Sequence, residues 1–200
     1  TVTGATVTAA DVFNGGTGTD TFILSGAAVN GATSAVYLTV PSIADFVVNS
    51  DIIALSTTFG NYHAAAAVNG AGTAATTAVA AGATAIQDIV VSSGARALSG
   101  TADLLKFTTA VATTANMTVA EAFNAAIGTS TVTGATASVD NFYTMYDSTN
   151  NKMLIGMVDA DAGTNTIVES GDSVFLIGTV DMTAANYALL SAASLALIAA

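Results

Sequence analysis

Apolar residues along this chain gather in short runs, broken by Gly-, Asn-, Asp- and Thr-rich stretches, a spacing that favours strands over helices. Thr21-Phe22-Ile23 reads as a short strand with Phe22 turned inward. Ser34 to Val40 reads as another, stopped by Pro41. Ile43 to Val48 and Ile52 to Ser56 are apolar and flank Asn49-Ser50-Asp51, which suits a hairpin or the corner of a roll. Gln87 to Ser92 is a further strand. Residues 141–147, 152–158, 166–168 and 172–180 read as successive antiparallel strands, with turns at 148–151 and 159–165. Ala102 to Thr109 is a candidate amphipathic helix. Thr118-Val119-Ala120-Glu121 is a capping box, and the helix it opens runs to Ile127 and stops at Gly128. Phe123 and Ile127, four apart, would face the core. The last stretch, 183–200, is uncharged and apolar. It holds Asn186 and two serines, lacks basic flanks and is short for a membrane crossing, so it predicts a docked final helix or strand.

One polar break carries candidate chemistry. Asn14-Gly15-Gly16-Thr17-Gly18-Thr19-Asp20-Thr21-Phe22 fits the repeat G-G-x-G-x-D-x-U-x, the calcium-binding nonapeptide of parallel β-rolls, where U is a large apolar residue. Its glycines let the backbone take positive φ and expose carbonyls, which are hard oxygen ligands suited to Ca²⁺. Asp20 adds a charged oxygen. The D-x-F pattern recurs nine residues earlier at Asp11-Val12-Phe13, without the glycines, and reads as a worn neighbouring turn. The turn from Asp159 through Asp161 and Gly163 to Asn165 also alternates oxygen donors. It lacks EF-hand spacing, with Ser170 where a bidentate Glu would stand, and reads more simply as an Asx-rich hairpin loop.

The pattern predicts a mainly β fold: a parallel β-roll remnant continuing into an antiparallel β-sandwich or meander, with one or two short helices. Three segments follow. Residues 1–56 form the roll end and flanking strands, 57–138 an Ala/Thr/Gly-rich insertion with short helices, and 139–200 the terminal meander and tail.

Composition narrows the function. Hydrophobic residues make up 52% and charged residues 8%, and the net charge is −11, with Arg96, Lys106 and Lys152 the only basic side chains. Phosphate contacts need clustered Lys and Arg, so a nucleic-acid partner is not expected. Twelve of the 14 acidic residues are Asp, the turn former and calcium ligand, rather than Glu. There is no cysteine and one histidine, His63, in an alanine run. Neither an HExxH zinc helix nor a G-x-S-x-G elbow occurs, so catalysis within this chain is not expected. No basic region followed by an apolar core opens the sequence, and the expectation is that it continues a roll begun further upstream.

The order G-G-x-G-x-D-x-F, a variable gap, then Ile43-Ala44-Asp45-Phe46 and Asp51-Ile52-Ile53-Ala54-Leu55-Ser56 resembles the C-terminal region of RTX-type secreted proteins. It is most similar to serralysin-type proteases and RTX surface-layer proteins, over residues 11–56. The resemblance implies a Ca²⁺-loaded roll, export by a type I ABC transporter, and an uncleaved C-terminal signal. It further implies that Asp45 and Asp51 sit beside the roll, binding calcium or capping a turn. The tail departs from the protease pattern by ending Ile198-Ala199-Ala200 without an acidic residue. The implied protein is a non-enzymatic, secreted, extracellular or cell-surface domain that self-assembles into a homo-oligomer or lattice, with a cell-surface glycan as a candidate anchor. The alternatives are the carrier domain of a secreted hydrolase and a filament subunit independent of calcium.

Overall fold

The computed structural model describes residues 11–24, 29–30, 40–56, 86–89, 94–97, 104–127, 130–133, 140–159 and 173–198. The fold is mainly β. In chain order the strands are β1 (Val12–Phe13), β2 (Thr21–Leu24), β3 (Val29–Asn30), β4 (Ser42–Ile43), β5 (Ile52–Ser56), β6 (Ile86–Ile89), β7 (Gly94–Ala97) and β8 (Leu104–Phe107). After helix α1 (Val119–Ile127) come β9 (Ser130–Thr133), β10 (Asp140–Asp147), β11 (Lys152–Asp159) and β12 (Ser173–Asp181). The short helix α2 (Ala184–Ala188), a 3₁₀ turn and β13 (Leu195–Ile198) follow.

The centre is the antiparallel meander β10–β11–β12, as the alternation of apolar runs and turns predicts. These runs are apolar on both faces because both faces are covered. Phe142, Met153, Ile155, Met157 and Phe175 point to one side, into a core shared with Phe22, Leu24, Ile53, Leu55 and Leu195. Tyr143, Met145, Leu154, Val158 and Leu176 point to the other, where Val119, Ala122, Phe123 and Ala126 of α1 close a second core. Phe123 packs edge-on against Phe107 and Tyr143, with centroids 4.9 Å away in each case. The capping box opens α1 as its sequence predicts. Glu121 accepts the Thr118 amide at 2.7 Å, and Thr118 Oγ1 accepts the Glu121 amide at 3.2 Å. The Thr118 amide, and after it the Thr118 hydroxyl, hold the Glu121 carboxyl below its ordinary value.

β12 shifts register once. Ile155 lies opposite Gly178 but Gly156 opposite Leu176, which leaves Ile177 as an extra residue. Beside the bulge, Tyr143 donates its hydroxyl to the Phe175 carbonyl at 2.9 Å, directly over Gly156.

Around the meander the pairing is parallel, except that β3 lies antiparallel against Phe175 and Leu176 of β12. β6 and β8 extend the sheet beyond β10, and β4 then β1 extend it beyond the far end of β12. Three times the chain leaves this sheet and enters a second one: β1 to β2, β4 to β5, and β12 to β13. The second sheet is parallel throughout, with β5 in the middle. Its register aligns Phe22, Ile53 and Leu195 in one row and Leu24, Leu55 and Leu197 in another. In the first sheet Phe13, Ile43 and Val180 share a row.

One local expectation is corrected and another is narrowed. Residues 104–107 form a strand, not a helix. Leu104, Leu105, Lys106 and Phe107 are all buried between β6 and β10, and so short an apolar run does not fix its period. Of the hairpin and the corner expected at residues 43–56, the hairpin is the one excluded, since β4 and β5 lie in different sheets and residues 44–51 turn the corner between them. The expected strands at 34–39, 90–92 and 166–168, His63 and the stop at Gly128 lie outside the described residues. Among the described residues no helix is long and apolar enough to cross a membrane.

Candidate cation-binding turn

The glycine-rich stretch is the corner between β1 and β2. Gly16 and Gly18 have φ of +83° and +118°, values that side-chain-bearing residues rarely adopt. Gly15 is required for space instead. A Cβ there would lie 2.7 Å from Asp20 Oδ2, so the Asp20 carboxylate fills the place a side chain would take. Asp20 ends the turn and is 7% exposed.

The next corner, residues 44–51, lies alongside and is bonded to the first. Asp45 Oδ1 accepts the Gly15 amide at 2.9 Å and Oδ2 accepts the Gly16 amide at 2.8 Å. Those two bonds, Gly16 first, hold the Asp45 carboxyl below its ordinary value of 3.8. Asp51, 2% exposed, accepts the Asp20 amide at 3.0 Å through Oδ1 and the Val47 amide at 2.8 Å through Oδ2. The ladder continues where Ile52 N donates to Asp20 O at 2.8 Å. A buried carboxylate that accepts amides from two segments fixes their spacing as well as satisfying them.

The third corner repeats the device with neutral groups. Ser194 immediately precedes β13 as Asp51 precedes β5 and Asp20 precedes β2. Its hydroxyl accepts the Asn49 amide at 2.7 Å, and Asn49 itself stands at φ +62°. The second and third corners thus each offer side-chain oxygens to the main-chain amides of the corner before them in the chain.

The residues singled out in the sequence divide as follows. Gly15, Gly16, Gly18, Asp20, Asp45 and Asp51 meet in this pair of corners. Asn14 opens the turn and is exposed. Asp11 is exposed too, and its carbonyl accepts the Ser42 amide at 2.9 Å. Asp159 pairs with Ser173 at the opposite end of β12 from Val180. Seven residues at about 3.3 Å each put it roughly 20 Å from the corners along the strand. Its side chain, and Asp161 entirely, lie outside the described residues. Asn49 and Ser194 are members of the cluster that sequence reasoning missed. The signal for Asn49 was its place in an Asn-Ser-Asp turn, whereas nothing local marks Ser194.

The chemistry of the donors fits a hard cation on limited terms. Among the described residues no three His, Asp or Glu side chains converge on one point. Asp45 and Asp51 are engaged with amides, the capping role of the two expected of them. A cation at this turn would therefore rest on Asp20 and main-chain carbonyls, all of them hard oxygens. Comparisons with protein-family models, with curated proteins and with solved structures give no match for this chain.

Proposed function

We propose that this chain is a non-enzymatic building block of an extracellular surface: the end of a calcium-dependent β-roll of RTX type, carried out of the cell by a type I transporter and assembling with its own copies into a layer or fibre. The observation that carries the reading is the stacking of the Gly15–Asp20 corner on the Asp45–Asp51 corner. Parallel strands lie on both sides, and the glycines take the positive φ that a roll turn needs. A divalent cation bound at the turn would supply positive charge to a chain of net charge −11, so that binding and folding become one event. The chain's own contribution is geometric. Asp45 and Asp51 hold two successive turns at strand spacing, and Phe22, Ile53 and Leu195 seal the space between the two sheets.

The test is a calcium titration read by circular dichroism and light scattering on one sample. Calcium raises the melting temperature and promotes assembly, and excess chelator reverses both. No response to either refutes the calcium half of the proposal.

One observation favours a second reading, a coil that stands without calcium. The Asp45 and Asp51 carboxylates already have amide partners, so their repulsion is offset within the protein. Assembly that persists unchanged in excess chelator selects that reading. The carrier domain of a secreted hydrolase remains a third, distinguished by a zinc-binding helix in sequence upstream of this domain.

A further inference from the structure

The C-terminal segment is held almost wholly by distant parts of the chain. Tyr187, 4% exposed, donates its hydroxyl toward the carbonyls of Phe107 at 2.8 Å and Thr144 at 2.9 Å. Its ring stacks on Tyr146 at 5.7 Å between centroids. Lys106, a buried cation in a chain with three basic residues, spends its ammonium on the carbonyls of Ala188 at 3.1 Å and Leu190 at 2.9 Å. Asn49 takes the end of the segment: its amide donates to Ser194 Oγ, and its Oδ1 accepts from Ser191 Oγ at 2.7 Å. β13 then lies parallel against β5, and Leu190, Leu195 and Ala196 are buried. These polar anchors span sequence separations of 43 to 145 residues. On its near side the segment hangs from β12 through Met182, whose amide donates to Asn151 O, and through the extended Thr183.

We propose that residues 183–198 are an exchangeable closing segment, and that the seat they fill accepts the corresponding segment of a second copy of this chain. Every contact described above is the same whether the segment comes from its own chain or a neighbour. The two closures differ only in the covalent connection at Thr183 and in local concentration. Exchange of an identical element is a low-cost route to association. The segment carries no charge from Thr183 to Ala200, so it approaches another copy of this acidic chain without like-charge repulsion of its own. A short connection gives the internal closure an effective concentration on the order of millimolar. Exchange therefore grows in as the protein reaches that range, as it does when copies are held side by side. The inference rests on the self-association in the proposed function and is independent of calcium.

The chain has no cysteine, which allows a clean test. Ser191 and Asn49 are in side-chain contact, so N49C and S191C are made separately and together. The double variant, oxidised at micromolar concentration, gives an internally bridged monomer, which also reports that the seat forms. At millimolar concentration it gives covalent multimers. An equal mixture of the two single variants, oxidised at millimolar concentration, gives the mixed dimer in excess of both like-with-like dimers. An internally bridged monomer at every concentration, with no excess of the mixed dimer, overturns the proposal. The unsubstituted chain, followed by sedimentation equilibrium, dimerises over the same range, and monomers throughout overturn it equally. The oxidations are repeated in excess chelator. A mixed dimer that survives there, beside a failed calcium titration, upholds exchange while sinking the calcium reading.

Discussion

Replacing Asp51 by alanine removes the acceptor for two main-chain amides in one step. The Asp20 amide is buried and has no route to water once the carboxylate is gone. An unsatisfied buried donor costs about 1–3 kcal/mol. The Val47 amide is only partly buried, so water recovers part of its bond and its loss falls at the low end of that range. The sum is about 2–4 kcal/mol, a large share of the ~5–15 kcal/mol that holds a domain folded. Asparagine keeps one oxygen for Asp20 but offers an NH₂ to the Val47 amide, so D51N falls about halfway between D51A and the parent. Urea unfolding followed by far-ultraviolet circular dichroism, in chelator so that no cation contributes, measures the difference. With a slope of about 2 kcal/mol per molar urea, the D51A midpoint drops by about 1–2 M. A D51A midpoint within about 0.2 M of the parent, at equal slope, refutes the claim that this carboxylate ties successive corners together.

Three further outcomes follow from other contacts. Gly156→Ala places a methyl 2.1 Å from the Phe175 carbonyl and 2.2 Å from the Tyr143 hydroxyl, and calorimetry should register a loss of about 3 kcal/mol or more. Asp45 has a folded-state pKa below its ordinary 3.8, so its stabilising contribution is present above that value and drains away as pH falls through the lower folded value. Acid titration of stability should be steeper below about pH 4 for the parent than for D45N, and matching curves would contradict the assignment. Tyr187→Phe removes a hydroxyl that bridges two strands. It should cost about 1–2 kcal/mol and raise amide exchange in residues 183–198 more than in β10–β12, as read by mass spectrometry.

Features written in neighbouring residues were legible in the sequence. The capping box needs only Thr118 and Glu121, and the strand at Thr21–Ile23 needs only its own alternation. The meander announces itself because turn residues at 148–151 separate apolar runs long enough to cross a sheet. Features that depend on partners elsewhere were not legible. Leu104-Leu105-Lys106-Phe107 looks helical until β6 and β10 are placed beside it, when all four side chains become interior. Asp45 reads equally well as ligand or cap, because the two amides that decide the matter lie 29 and 30 residues away. Ser194 is an ordinary serine until β13 settles beside β5. Lys106 hides for the same reason, since its acceptors are more than 80 residues downstream.

The surplus residue at Ile177 has a consequence for how the domain tolerates change. Side chains on a strand alternate sides, so Ile177 and Val180, an odd number of places apart, belong on opposite sides of an unbroken strand. Both nevertheless enter the same core. The bulge sits where the edge of β12 away from β11 changes partner, from the antiparallel β3 to the parallel β4. Deleting this single residue would put Val180 four places from Phe175, an even number, and so leave it facing the same core; what is lost is the Ile177 side chain and the local bend that the bulge supplies.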